Sequence, residues 1–183
     1  MNTMTAIRTR RSPNEFLDGA LRREDLQTIA EAGNYAPIFG RLHFTVIDSR
    51  ALIDTISAVS QEMMKHSGNE FAEKMANTPG YSAVRNAQAF VVISAPGGNN
   101  EMGFAMANAS CAAENMCLAA TELGIGSRFM MGPVMSLAQE PIKSGVNLSE
   151  GYQALVMVAL GNVADEMKER TRSQDNIDYA SAE

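Results

Sequence analysis

Histidine and cysteine are scarce in this chain, with two of each among 183 residues, and the scarcity removes several chemistries at once. His43 and His66 stand without an HExxH, CxxC or EF-hand pattern around them, so the residues offer no metal site. Neither histidine has an evident Ser or Cys partner, and no GxSxG elbow exists, which argues against hydrolase chemistry. Cys111 and Cys117 fall in one apolar, helical-looking stretch. Six residues apart on a helix they point about 240° away from each other, so they cannot pair locally. Both are expected to be reduced core residues.

Positive charge is also in short supply: fifteen Lys and Arg against twenty-one Asp and Glu, a net −6. Generic binding to nucleic acid or an anionic membrane needs a basic face, so neither partner is expected. No apolar run approaches the ~20 residues that span a bilayer. The opening MNTMTAIRTRR lacks the continuous apolar stretch of a secretory signal, and a cytoplasmic location is the expectation. Phosphate-loop motifs are missing too. PGGNNEMG, at 96 to 103, has neither GK[ST] nor GxGxxG spacing and reads as a turn. LGIGSRF, at 123 to 129, follows a helix and precedes a strand, the reverse of a Rossmann entry, so Gly124 is better read as a C′ residue.

What is present suits one domain over 1–183, with 45% hydrophobic and 20% charged residues. REDLQTIAEAG, ending at Gly33, predicts a helix from residue 23, and HFTVID predicts a strand over 43 to 48. Ser49 is a plausible N-cap for a helix in which Leu52, Ile53, Ile56, Val59 and Met63 recur at helical spacing. Residues 66 to 86 read as a polar surface excursion with one short helix. AFVVISA, at 89 to 95, has the profile of a central strand buried on both faces. A long helix follows from about Met102 to Leu123, so poor in charge that most of its circumference should be covered. SRFMMGPV and ALVMVALG, at 127 to 134 and 154 to 161, complete about four strand candidates in a mixed α/β or α+β architecture.

The scarce positive charge is unevenly placed. Five of the fifteen cations lie in the first 23 residues and three more within 168 to 172. Arg8, Arg10 and Arg11 are followed directly by Ser12 and Pro13. Two readings stay open from the residues alone. The cluster is a solvated surface group paired with acids, or an anion site held by both chain ends, to which Arg brings bidentate N–H donors. Thirteen methionines are mostly core filler, but Met130 and Met131 stand out because they precede Gly132 after a strand-like run.

Taken in order, these pieces resemble the nitroreductase family of FMN-dependent oxidoreductases. RRSPNEF resembles the family's R-R-S-x-R-x-F opening, and AEAGNYAP its helix ending in Ala-Pro. ASCAAENMCLAATELGIGS is similar to the central N-x-x-L-A-A-x-x-L-G-x-G-S helix. ALVMVALG and the later KER resemble the last core strand and basic tail. The matches run from about residue 7 to 179.

The resemblance implies an α+β fold, a mainly antiparallel sheet of about four or five strands flanked by helices, in an intertwined homodimer with FMN at the subunit interface. It implies that Arg10, Arg11, Ser12 and Asn14, with Lys168 and Arg170 from the tail, meet the cofactor's phosphate end. Met130 and Met131 would lie beside the flavin ring, with the Gly132 N–H near flavin N5. The activity implied is ping-pong transfer of hydride from NADH or NADPH to a small nitroaromatic-, quinone- or enone-type acceptor, with no side chain as obligatory acid or base and no metal. The alternative is a flavin-binding or sensing protein of the same fold without turnover. Two departures from the family pattern bear on this. Asn14 stands where the family has Arg or Lys. After Pro37 the chain has only IFGRLHF in place of a longer loop, so Phe39, Arg41 and His43 are the candidates for lining the substrate pocket.

Overall fold

The computed structural model describes residues 1–97, 102–164, 168–172 and 176–180. Its first element is one the sequence reading passes over. Helix α1, Thr3–Thr9, is capped by the Asn2 side chain, which accepts from the Thr5 N–H at 2.9 Å. Helix α2 spans Arg23–Ala32, and a short 3₁₀ turn, Gly33–Tyr35, continues it. Gly33 is helical in φ and ψ rather than left-handed. Glycine is required there for room, because a Cβ would sit 2.3 Å from the Met116 Cε.

Four strands form one antiparallel sheet in the order β1-β2-β4-β3. They are β1 His43–Ile47, β2 Ala89–Pro96, β3 Gly126–Met130 and β4 Tyr152–Gly161. The two central strands carry the long β-branched runs, and residues 89–95 are all buried. Alternation sorts their side chains between two layers. Val91, Ile93, Val156 and Val158 face α2 and the long helix, whereas Phe90, Val92 and Met157 face Ile53 and Ile56 of α3. Helix α3, Arg50–Lys65, begins where Ser49 accepts from the Leu52 N–H at 3.5 Å. The excursion over 66 to 86 holds the expected short helix, α4, Glu70–Ala76, but Ala83 and Val84 near its end are buried.

Helix α5, Met102–Glu122, packs Ala109, Ala112, Ala113, Met116, Cys117 and Ala120 onto the sheet. Small side chains let its backbone come close. It ends in a Schellman motif: Gly124 has φ +73°, Ile125 N–H donates to the Ala120 carbonyl at 2.8 Å, and Gly124 N–H donates to Thr121 at 3.1 Å. The covering is one-sided within the chain, since Phe104, Cys111 and Glu114 on the other side are exposed. Cys111 is therefore not a core residue. SRFMMGPV also divides differently from its reading as one apolar run. The strand ends at Met130, and Gly132–Ala138 forms a 3₁₀ helix with Pro133 near its start, where the missing N–H costs nothing. Helix α6, Ile142–Val146, completes the second layer.

Cys117 is fully buried, and burial pushes its thiol up to about 11. The thiolate is the reactive form, so Cys117 should be inert in the folded chain. In a Cys111→Ser variant, a disulfide reagent should find no reactive thiol under native conditions and one in guanidinium. Rapid native labelling would contradict this burial.

Candidate functional site

The N-terminal segment after α1 crosses the end of the sheet where β2 and β3 begin and β4 ends. Arg128 of β3 is half-buried and donates from Nη1 to the Pro13 carbonyl at 2.8 Å. Its pKa is lowered, chiefly by burial and then by Arg85. Further along, Phe16 N–H donates to Arg85 and Leu17 N–H to Asn162, both at 2.9 Å. The Phe16 ring packs where Gly126 and Gly161 leave space, its carbon atoms 3.2 Å and 2.7 Å from where their Cβ atoms would be. That anchor fixes the run from Arg10 to Asn14 against the sheet.

The basic tail meets the same segment. Arg170 N–H donates to the Arg8 carbonyl at 3.2 Å, and its guanidinium donates to the Arg10 carbonyl. Arg11 Nη2 returns a bond to the Lys168 carbonyl at 3.1 Å. Arg10 reaches Ser12 Oγ from Nη1 at 3.4 Å, while its Nε pairs with Glu114 of α5 at 3.0 Å. The two ends of the chain thus bring Arg10, Arg11, Ser12, Lys168 and Arg170 together, with Asn14 exposed close by in sequence.

Three or more guanidinium groups in one place repel one another. The pKa of Arg170 is lowered first by desolvation and then by Arg172, Arg10 and Arg11. Among the described residues Glu114 is the one carboxylate paired with this cluster. Surplus cations, a hydroxyl and guanidinium N–H donors make a donor set that a phosphate monoester would fit.

From the cluster, β3 leads to Met130, which is buried, and Met131, which is 53% exposed. Gly132 follows at the first position of the 3₁₀ helix, where its N–H has no acceptor within the helix. A Cβ at Gly132 would meet nothing within 4 Å, so its face is open to a ligand. β2 and β3 both run antiparallel to β4, and β1 antiparallel to β2. The ends of β2 and β3 and the start of β1 therefore share one end of the sheet.

At that end lies a cleft of about 710 Å³ between Phe39, Arg41, Pro96 and Phe104. The loop carrying Phe39 is held by Asn108 of α5, a buried amide that accepts from the Phe39 N–H at 3.4 Å and donates to its carbonyl at 2.6 Å. His43 is not among the described residues lining the cleft; its ring stands edge-on to Tyr152 at 6.2 Å, on the edge strand. Asn108, Phe104, Glu114 and Arg128 are site residues that sequence reasoning missed.

The nitroreductase family model matches residues 7–162. The chain belongs to the nitroreductase family. No curated protein matches it. Among solved structures it is similar to a nitroreductase with bound FMN from Bacteroides fragilis, at 24% identity and TM-score 0.84, covering 99% of this chain and 100% of that one. A nitroreductase with bound FMN from Desulfitobacterium hafniense aligns at 23% identity and TM-score 0.85, with 99% and 100% covered. A BluB-like flavoprotein from Clostridium difficile aligns at 22% identity and TM-score 0.73, again with 99% and 100% covered. The α+β fold with its antiparallel sheet is thus the nitroreductase fold. Among the described residues no helix is long and apolar enough to cross a membrane, and no group of His, Cys, Asp and Glu could hold a metal.

Proposed function

We propose that this nitroreductase-family protein is an FMN-dependent oxidoreductase, acting as a homodimer, that passes hydride from NADH or NADPH to a small electrophilic acceptor. The observation that carries the reading is that Arg10 and Arg11 from one end of the chain meet Lys168 and Arg170 from the other, through the Arg11–Lys168 and Arg170–Arg10 hydrogen bonds. Those arginines, with Ser12, Asn14 and Lys168, would hold the phosphate end of FMN. Met130 and Met131 would pack beside the ring, and the Gly132 N–H would donate to flavin N5. When bound, the flavin supplies the two-electron chemistry that links donor and acceptor in turn. The chain supplies a grip, an oriented N–H and shelter from water, with no side chain as acid or base. Exposed Tyr35 and Met135 give apolar surface that a second subunit would cover.

Anaerobic mixing of the FMN-loaded protein with NADH and with NADPH tests the reading. Bleaching of the yellow colour by either donor, and its return when a quinone or nitroaromatic is added, is the expected result. A flavin that stays oxidised with both donors overturns it and supports a binding or sensing role instead, a reading favoured by the shortened IFGRLHF loop.

A further inference from the structure

We infer that Arg41 makes this protein selective for planar aromatic acceptors that carry an anionic substituent, such as an aromatic carboxylate. The inference rests on the oxidoreductase reading above, since the cleft serves an acceptor only with a flavin against its open side.

Three features of the cleft point this way. Its walls are aromatic and unusually bare: Phe39 is 79% exposed and Phe104 is 69% exposed, an arrangement that costs free energy unless a flat apolar group lies between or against them. Its remaining surface is largely apolar too, with Ala95 and Pro96 at the end of β2. Arg41 is the one charged side chain among the described residues that line it, and it makes no hydrogen bond or ion pair within the described chain. Arg22 and Arg50, by contrast, are paired with Asp25 and Asp54. A free guanidinium on the rim of an apolar slot would pair with a carboxylate in a bidentate way and stack on a ring face as readily.

The rim is also fixed in place. Asn108 bonds both polar groups of the Phe39 backbone, two residues before Arg41, and so ties the short loop to the long helix. Asn108 is a positioning residue here, setting where Phe39 and Arg41 project. The cleft volume of about 710 Å³ admits a single substituted ring with space to spare. The acidic chain as a whole, at net −6, would otherwise disfavour anionic substrates, so a local cation is needed to admit them.

With 4-nitrobenzoate the reaction balances as a two-electron reduction to the nitroso compound. The reduced nicotinamide gives up a hydride and becomes oxidised, solvent gives one proton, one N–O bond breaks, and the oxygen leaves as water.

The test compares 4-nitrobenzoate with neutral 4-nitrobenzamide on FMN-loaded wild type and Arg41→Gln. Arg41 is exposed, so the variant should fold, and an unchanged melting temperature checks this. Wild type should prefer the carboxylate at least tenfold in kcat/KM. Arg41→Gln should raise KM for the carboxylate at least tenfold more than it changes KM for the amide or for the nicotinamide. Equal loss on both acceptors, or a change confined to the nicotinamide KM, overturns the inference; the latter would assign Arg41 to the donor's phosphates. Equilibrium dialysis with non-reducible 4-chlorobenzoate provides a readout free of turnover. If neither nitro compound is reduced but chlorobenzoate binds at least tenfold more weakly to Arg41→Gln, the anion cleft stands and the oxidoreductase reading fails. Chlorobenzoate binding that ignores the substitution overturns the cleft.

Discussion

Replacing Arg10 and Arg170 together by Ala should lower FMN affinity by more than a hundredfold and leave riboflavin affinity nearly untouched. Each guanidinium contributes a charge-assisted hydrogen bond worth about 1.5–3 kcal/mol, so the pair should cost about 3 kcal/mol or more. Riboflavin has no phosphate and gains nothing from either side chain. It also serves as the control for structural damage, which matters because the Arg170 guanidinium bonds the Arg10 carbonyl as well. Loss of that contact could loosen the tail, and a loosened tail would weaken both ligands alike. Titration of the apo-protein, followed by quenching of flavin fluorescence, measures both affinities. An FMN affinity that survives the double change, or a riboflavin affinity that falls as far, assigns the cluster some other role.

Glu114 refines the same expectation. Its carboxylate sits 3.0 Å from Arg10 Nε and leaves the Nη atoms free, one of them within reach of Ser12. The pairing fixes the head of Arg10 beside Ser12 while cancelling part of its charge. The net positive charge of the site therefore comes mostly from Arg11, Arg170, Lys168 and Arg172. Added salt should weaken FMN more than riboflavin for that reason.

The elements that were plain in the sequence are those whose pattern is set by local burial. AFVVISA could only be a strand covered on both faces, and residues 89–95 are all buried between the two layers. The Ala- and Met-rich stretch became α5, with Gly124 left-handed at its end. What stayed hidden depended on contacts between distant segments. α1 is seven residues long, too short for a periodic signal, and it owes its place to α5. SRFMMGPV looks continuous in hydropathy, yet β3 stops at Met130 and the chain turns into the 3₁₀ helix that begins at Gly132, with Pro133 in its first turn. Cys111 shares the apolar composition of its helix but lies on the face turned from the sheet, which a pattern poor in charge cannot reveal.

The candidate site divides in the same way. The charge asymmetry of the two chain ends was legible as composition, but their meeting is a matter of a hundred and fifty and more residues of intervening fold, as in the Arg11 to Lys168 bond with its separation of 157. Asn108 and Arg128 could not be foreseen as site residues, because each acts on a main-chain carbonyl far away in sequence, Phe39 and Pro13 respectively. Side-chain to backbone bonds of that kind leave no mark on the residue type of the partner.

Phe16→Ala should be among the most damaging single changes in the chain, lowering stability by about 3–5 kcal/mol, the range for removing a buried aromatic ring. The ring is 2% exposed and lies over two glycines, Gly126 on β3 and Gly161 on β4. It fills the space their missing side chains leave and pins the segment that carries Arg10 to Asn14. Gly161→Ala probes the same contact from the other side. Its Cβ would stand 2.4 Å from Gln88 Oε1 and 2.7 Å from the Phe16 Cγ, so either the ring or the strand must move. In the double variant the ring is gone and only the Gln88 overlap remains. The two changes should therefore be non-additive, the pair less harmful than the sum by about 0.5–3 kcal/mol. Urea unfolding of the three variants measures all the terms. A loss under about 1 kcal/mol for Phe16→Ala, or strict additivity with Gly161→Ala, would mean that the N-terminal arm is anchored elsewhere and that the arginine cluster owes its position to the tail alone.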